Sequence, residues 1–180
     1  MTLYQTALTL AVEAHTGQIR KHNGTPYIVH PIMVARIVET AGFGEAVVAA
    51  ALLHDVLEDT KVSALTLETA VGSDILRMVQ ALSEDKPIEW RARKAKYIEA
   101  VVAAGESVWA ISVADKIHNA ESLLEFHAEV GNTAWSVFNK GKNDKIWFEE
   151  TLLSALQQVW QHPLLDRYAA LVSEMQKLEA

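Results

Sequence analysis

Cysteine is absent from the chain, so disulfides and thiolate metal sites are excluded, and any metal must be held by histidine and carboxylate. Breakers are scarce, with 8 Gly and 4 Pro in 180 residues, which argues for long helices over many short strands. No run of about 18 uninterrupted apolar residues exists to span a membrane. The N-terminus lacks a basic start followed by a clean apolar stretch, because Glu13 and His15 interrupt it. Excess positive charge is also missing. The net charge of −7 disfavours a nucleic-acid polymer as partner, although clustered Lys and Arg beside a metal can still receive a small anion. The expectation is a cytoplasmic protein with no membrane partner, of one domain over residues 1–180. Its oligomeric state is not legible.

Half of the residues are hydrophobic, enough for a substantial core. Apolar positions 3, 7, 10 and 14 form a helical stripe. Pro26 and Pro31 bracket "YIVH", read as an extended link, and a helix runs from Pro31 to Ala41. After the turn "GFGE" an apolar helix covers about 45–58. Helical segments follow at 65–71, 73–82, 89–104, 106–127, 147–160 and 163–178, with "NKGKND" (139–144) a loop or polar break. The pattern predicts an all-α helical bundle of about eight to ten helices.

Inside these apolar stretches stand His30, the pair His54-Asp55, the pair Glu58-Asp59 one turn later, and Asp115. Charged groups beside a core-facing run are costly unless paired or metal-bound. Two imidazoles and two carboxylates make a mixed N/O donor set that suits manganese, iron or zinc. Manganese is favoured because half of the set is hard oxygen. On a continuous helix Glu58 shares a face with His54, and Asp59 with Asp55. Acids one turn from a metal are placed to orient or deprotonate its water. Arg20 and Lys21 form a basic pair leading into His30. Lys86 in "LSEDK" is a further phosphate candidate, and Asn119 shares a face with Asp115. Lys140, Lys142 and Lys145 cluster around Gly141, a pattern that more often marks a solvated charge run than a phosphate contact.

The segments "RKHNGTPYIVHP", "AALLHDVLEDT", "LSEDK" and "ADKIHN" resemble the HD-type metal-dependent phosphohydrolases. Within these the chain is similar to the small alarmone hydrolases, relatives of the hydrolase half of the RelA/SpoT proteins of the stringent response. The resemblance is good from about residue 3 to 125 and thin through 150. It implies a single HD domain with His30, His54, Asp55 and Asp115 as metal ligands and Glu58 and Asp59 as catalytic acids. It further implies that Arg20-Lys21 packs on the base and binds phosphate, and that Asn119 holds the ribose. The implied reaction removes pyrophosphate from the 3′ position of (p)ppGpp or its adenosine counterpart. Two positions depart from the family pattern. Glu121 stands where an Arg is common, and Trp147 where a Tyr often contacts phosphate. A Trp offers only an indole N–H and a stacking face, so base preference and 5′-phosphate number are left open. No stretch is left for a synthetase domain. The alternatives are an HD phosphohydrolase of another nucleotide or of a phosphorylated dinucleotide cofactor, and a non-enzymatic helical module that only binds its ligand.

Overall fold

The structure is a computed structural model that describes residues 1–21, 24–84 and 87–179. Its elements are α1 (Leu3–Ala14), α2 (Val29–Thr40), α3 (Glu45–Leu53), α4 (Val56–Asp59), α5 (Ala64–Val71), α6 (Ser73–Leu82), α7 (Trp90–Ala104), α8 (Glu106–Val130) and, after a 3-10 segment at Gly131–Val137, α9 (Gly141–Gln157) and α10 (Pro163–Lys177). Among the described residues the only extended pairing is an isolated antiparallel bridge between Ile19 and Pro26. The all-α expectation therefore holds. No helix among them is long and apolar enough to cross a membrane.

α3 is the hub. Its residues Val48 through Leu53 are all buried, because α1, α2, α6 and α8 pack around it. A helix apolar on every side has no solvent face to display, which is why its sequence, EAVVAAALL, lacks amphipathic period. The alanines let the neighbouring helices approach closely. The second central element is α8, whose buried stretch Ala110–Asp115 faces α2, α3, α6 and α10. Trp135 and Trp160 join the core, whereas Trp147 is half-buried.

Four boundaries differ from the sequence pattern. The expected helix 45–58 is broken after Leu53, with His54 and Asp55 at the break and α4 resuming the direction. The His54 imidazole takes the Ala51 carbonyl at 2.8 Å, a group that an unbroken helix offers to the N–H of Asp55. His30 does not lie in an extended link. It sits in the first turn of α2, where Pro31 is tolerated because the first N–H groups of a helix have no intrahelical partner. Finally, α9 begins at Gly141, inside the stretch expected to be a loop or break, and α8 runs on to Val130.

Leu52 is fully buried at the centre of this packing. Leu52→Ala is expected to lower unfolding stability by about 2–5 kcal/mol, read from the midpoint of urea denaturation.

Candidate metal centre

The loop between α1 and α2 folds back on itself. Arg20 N–H bonds the Thr25 carbonyl at 2.9 Å, and Tyr27 N–H bonds the Gln18 carbonyl at 2.9 Å. Gly24, at φ +67°, makes the reversal without the strain a side chain would bring. This ribbon delivers Arg20, Lys21 and Tyr27 to one face and leads into His30. The break after α3 delivers His54 and Asp55, and α8 delivers Asp115.

The four groups converge. His30 Nε2 lies 3.0 Å from Asp115 Oδ1 and 3.7 Å from Asp55 Oδ2. His54 Nε2 lies 3.1 Å from Asp55 Oδ2 and 3.8 Å from Asp115 Oδ1. His30, His54 and Asp115 offer donor atoms all within 4.8 Å of one another. Donors that share one first-row ion at bond lengths of about 2.0–2.2 Å stand about 3–4 Å apart, so the spacing fits a single divalent cation.

The hydrogen bonds around the cluster point its donor atoms inward. The Nδ1 of His54 is committed to the Ala51 carbonyl, and its buried Nε2 makes no hydrogen bond of acceptable angle although Asp55 lies close. An orphaned nitrogen aimed at a cluster of donors is what a cation would satisfy. His30 Nδ1 meets His118 Nδ1 at 2.7 Å. For His30 to present a bare Nε2, its Nδ1–H must donate to His118. The Tyr27 hydroxyl donates to Asp55 Oδ2 at 2.5 Å. Lys116 Nζ donates to Asp115 Oδ2 at 2.6 Å, and Asn119 Nδ2 to Asp115 Oδ1 at 2.5 Å. Arg20 in turn donates to Asn119 Oδ1 at 3.1 Å.

Electrostatics follow the same geometry. Burial works to lower the pKa of His54, but the charges of Asp55 and Asp115 outweigh it and carry the value to about 9. Burial wins at His30, which is shifted down against the pull of Asp115. Burial opposes ionisation of Asp55, yet its neighbours His54 and His30 hold it well below the usual carboxylate range. Asp115 is likewise depressed, with Lys116 the largest charge overcoming burial.

A cavity of about 130 Å³ lies over the cluster, and Glu58, Glu84, Lys116 and Asn119 line it. Glu58 accepts the backbone N–H of Glu84 at 3.0 Å, and burial raises its pKa. Asp59 is exposed and lines instead the adjoining cleft of about 390 Å³, which shares Tyr27 and Asn119 with the cavity. Arg20, Lys21, Leu123, Phe126 and Phe138 complete much of that wall. Its volume falls in the range of small-molecule sites, about 300–1,000 Å³.

The structure thus brings together His30, His54, Asp55, Asp115, Glu58 and Asn119, with Arg20, Lys21 and Asp59 beside them. Lys86 lies outside the described residues. Trp147 packs under the Arg91 guanidinium, 4.6 Å from its ring centroid, and beside Trp90, and it is not among the residues lining the cavity or the cleft. On α9 the cleft-lining position is Lys145, and residue 147 points about 200° away around the helix. Glu121 pairs with Arg167 on α10. Tyr27 and Lys116 were not weighed in the sequence, although both stand inside the quoted motifs, three residues before His30 and one after Asp115.

Comparison with known proteins follows the same lines. A family model described as an HD domain matches residues 7–139. The guanosine-3′,5′-bis(diphosphate) 3′-pyrophosphohydrolase MESH1 of Danio rerio is 36% identical over 119 residues, 64% of this chain and 66% of that protein. The match therefore spans just under two thirds of that relative's length. The crystal structure of lmo0812 from Listeria monocytogenes EGD-e superimposes with a TM-score of 0.76 at 34% identity, covering 87% of this chain and 99% of that one. A structure described as a metazoan ortholog of SpoT that hydrolyzes ppGpp and plays a role in starvation responses gives a TM-score of 0.82 at 27% identity, covering 99% of this chain and 98% of that one.

A cation needs a neutral His54 imidazole, whereas the charges of Asp55 and Asp115 favour its protonated form, so metal uptake competes with a proton. Divalent-metal affinity measured by calorimetry is expected to rise with pH between 6 and 9, with proton release visible from its dependence on buffer. His118→Phe is expected to weaken that binding about 10- to 100-fold by releasing the His30 ring.

Proposed function

This chain belongs to the HD domain family, and on that footing we propose that it is a metal-dependent 3′-pyrophosphohydrolase of alarmone nucleotides, (p)ppGpp or (p)ppApp. The observation that carries the reading is a donor cluster with an orphaned buried nitrogen, set beside Glu58 at the closed end of a cleft large enough for a nucleoside. The relatives' activity supplies the substrate class.

His30, His54, Asp55 and Asp115 would hold the ion, with manganese favoured over iron or zinc for its match to two carboxylates and two imidazoles. When bound, a divalent ion supplies Lewis-acid polarisation of the phosphate and lowers the pKa of water. The protein's own groups do the rest. Tyr27, Lys116 and Asn119 fix the two carboxylates. Glu58 orients the attacking water and takes its proton, a role helped by a carboxyl made more basic through burial. Asp59, at the rim between cavity and cleft, assists in steering that water. Arg20 and Lys21 flank the nucleoside, and Asn119 reaches the ribose. The water oxygen bonds the phosphorus attached to the 3′ oxygen, the P–O3′ bond breaks, and the 3′ oxygen leaves as a hydroxyl. The products are the nucleotide without its 3′ group and free diphosphate. Such an enzyme lowers alarmone levels, acts within the stringent response, and works in the cytoplasm where nucleotide pools turn over.

The test is a manganese-supplemented assay of diphosphate release from 3′-pyrophosphorylated guanosine and adenosine nucleotides, run beside 5′-monophosphates and a phosphorylated dinucleotide. Diphosphate release is expected from the first group. Orthophosphate from the others alone would transfer the assignment to a different HD phosphohydrolase, and no product at all would favour a binding module. His54→Ala is expected to abolish both turnover and manganese binding. Glu58→Gln should keep the metal but lower kcat by about 10²–10⁴. Its loss should also remove the acid limb of the pH profile, which in the native enzyme lies above the ordinary glutamate range because burial favours the protonated form.

A further inference from the structure

The three lysines around Gly141 separate in the fold. Lys142 donates to the Leu178 carbonyl and lies 5.9 Å from the Trp135 ring. Lys140 is exposed at the edge of an outer groove. Lys145 is withdrawn from solvent, its side chain 15% exposed, with its ammonium paired to Glu149 Oε1 and 5.3 Å from the Phe138 ring.

Glu149 is a costly residue to place there. It is 1% exposed, and a carboxylate at that depth is unfavourable unless every oxygen is engaged. Its second oxygen accepts the hydroxyl of Tyr168 at 2.5 Å, and Tyr168 is itself fully buried. The buried pair therefore anchors one thing that reaches a ligand space, the Lys145 ammonium. A lysine is otherwise a flexible point charge. Here its ammonium is held, and among the described residues Glu149 is the partner of one N–H, leaving two for an anion.

The position of that ammonium is specific. Lys145 lines the nucleoside cleft and also an outer groove of about 540 Å³, which share Val137 and Phe138, and it does not line the metal cavity. Arg93 and Lys140 add positive charge to the groove, and Glu89 is its acidic member. A nucleotide with its 3′ group at the donor cluster and its nucleoside in the cleft, the orientation on which this inference rests, carries its 5′ substituent away from the cavity toward this junction. We infer that Lys145, held by Glu149 and Tyr168, contacts the 5′-phosphate and sets a preference for 5′-phosphorylated over 5′-hydroxyl nucleotides. Lys145 is then a specificity residue and Glu149 a positioning residue.

The experiment compares binding of guanosine 5′-diphosphate and guanosine, and the adenosine pair, to the full chain loaded with manganese and freed of excess ion. The native protein is expected to bind the diphosphate at least about ten-fold tighter than the nucleoside. Lys145→Met should erase that ratio, and Lys145→Arg should keep most of it. Glu149→Gln, which retains an acceptor for Tyr168, should lose part of the ratio. Melting temperatures identify any variant that fails to fold, and Lys145→Gln then replaces Lys145→Met. Equal affinities in the native protein, or an unchanged ratio in Lys145→Met, would overturn the inference. Kinetics give a second readout: Lys145→Met should raise KM for a 3′-diphosphate carrying a 5′-diphosphate and not for one carrying a 5′-hydroxyl. An equal rise for both would assign Lys145 to the 3′ group and end the proposal. A Lys145-dependent binding ratio in a protein that cleaves no 3′-pyrophosphorylated nucleotide would uphold this subsite and refute the proposed activity.

Discussion

Two imidazoles each stand within 4 Å of two carboxylates, in a core otherwise dominated by apolar side chains. Everything around them answers that concentration of charge. Asp115 is matched by Lys116 and Asn119, Asp55 by Tyr27, and each histidine has its outer nitrogen tied to a fixed partner. The Lys116 ammonium lies 5.0 Å from the Tyr97 ring and 5.3 Å from that of Phe148, which shields it from water without neutralising it. Burial alone would discharge these groups; the histidines, together with Lys116 at Asp115, keep the carboxylates ionised. The helices are therefore fastened to one another through the cluster: α2 by His30, the α3–α4 break by His54 and Asp55, α8 by Asp115.

From this centre the ligand space widens in steps. The small cavity over the donors is polar. The next cleft mixes Arg20 and Lys21 with Leu123, Phe126 and Phe138, and the outer groove sets Glu89, Arg93 and Lys140 beside Trp90, Val137 and Phe138. The α1–α2 ribbon walls one side of this path. The segment from Gly131 into α9 walls the other.

The donor set was legible in the sequence because each residue broke an apolar pattern, and four such breaks in matching contexts are hard to explain by packing. Helical content was legible from the scarcity of glycine and proline. What escaped was governed by hydrogen bonds that a period cannot express. The break at His54 depends on a side chain competing for the Ala51 carbonyl. His30 belongs to a helix despite the Pro31 that follows it, since that proline occupies a turn with no N–H to lose. The role of Tyr27 requires knowing which atoms face one another across 28 residues of chain. The buried Glu149 that withdraws Lys145 from a solvated run gives no sign of itself among the other acids of the chain.

The all-round burial of α3 has a consequence for how such a protein can diverge. A helix with no free side leaves almost no neutral changes open to the residues that precede His54, since each methyl added or removed is felt by four neighbouring helices. The ribbon before α2 and the outer turns of α9 carry no comparable constraint. Mutation can therefore explore new ligands at the rim while the donor cluster beneath stays frozen.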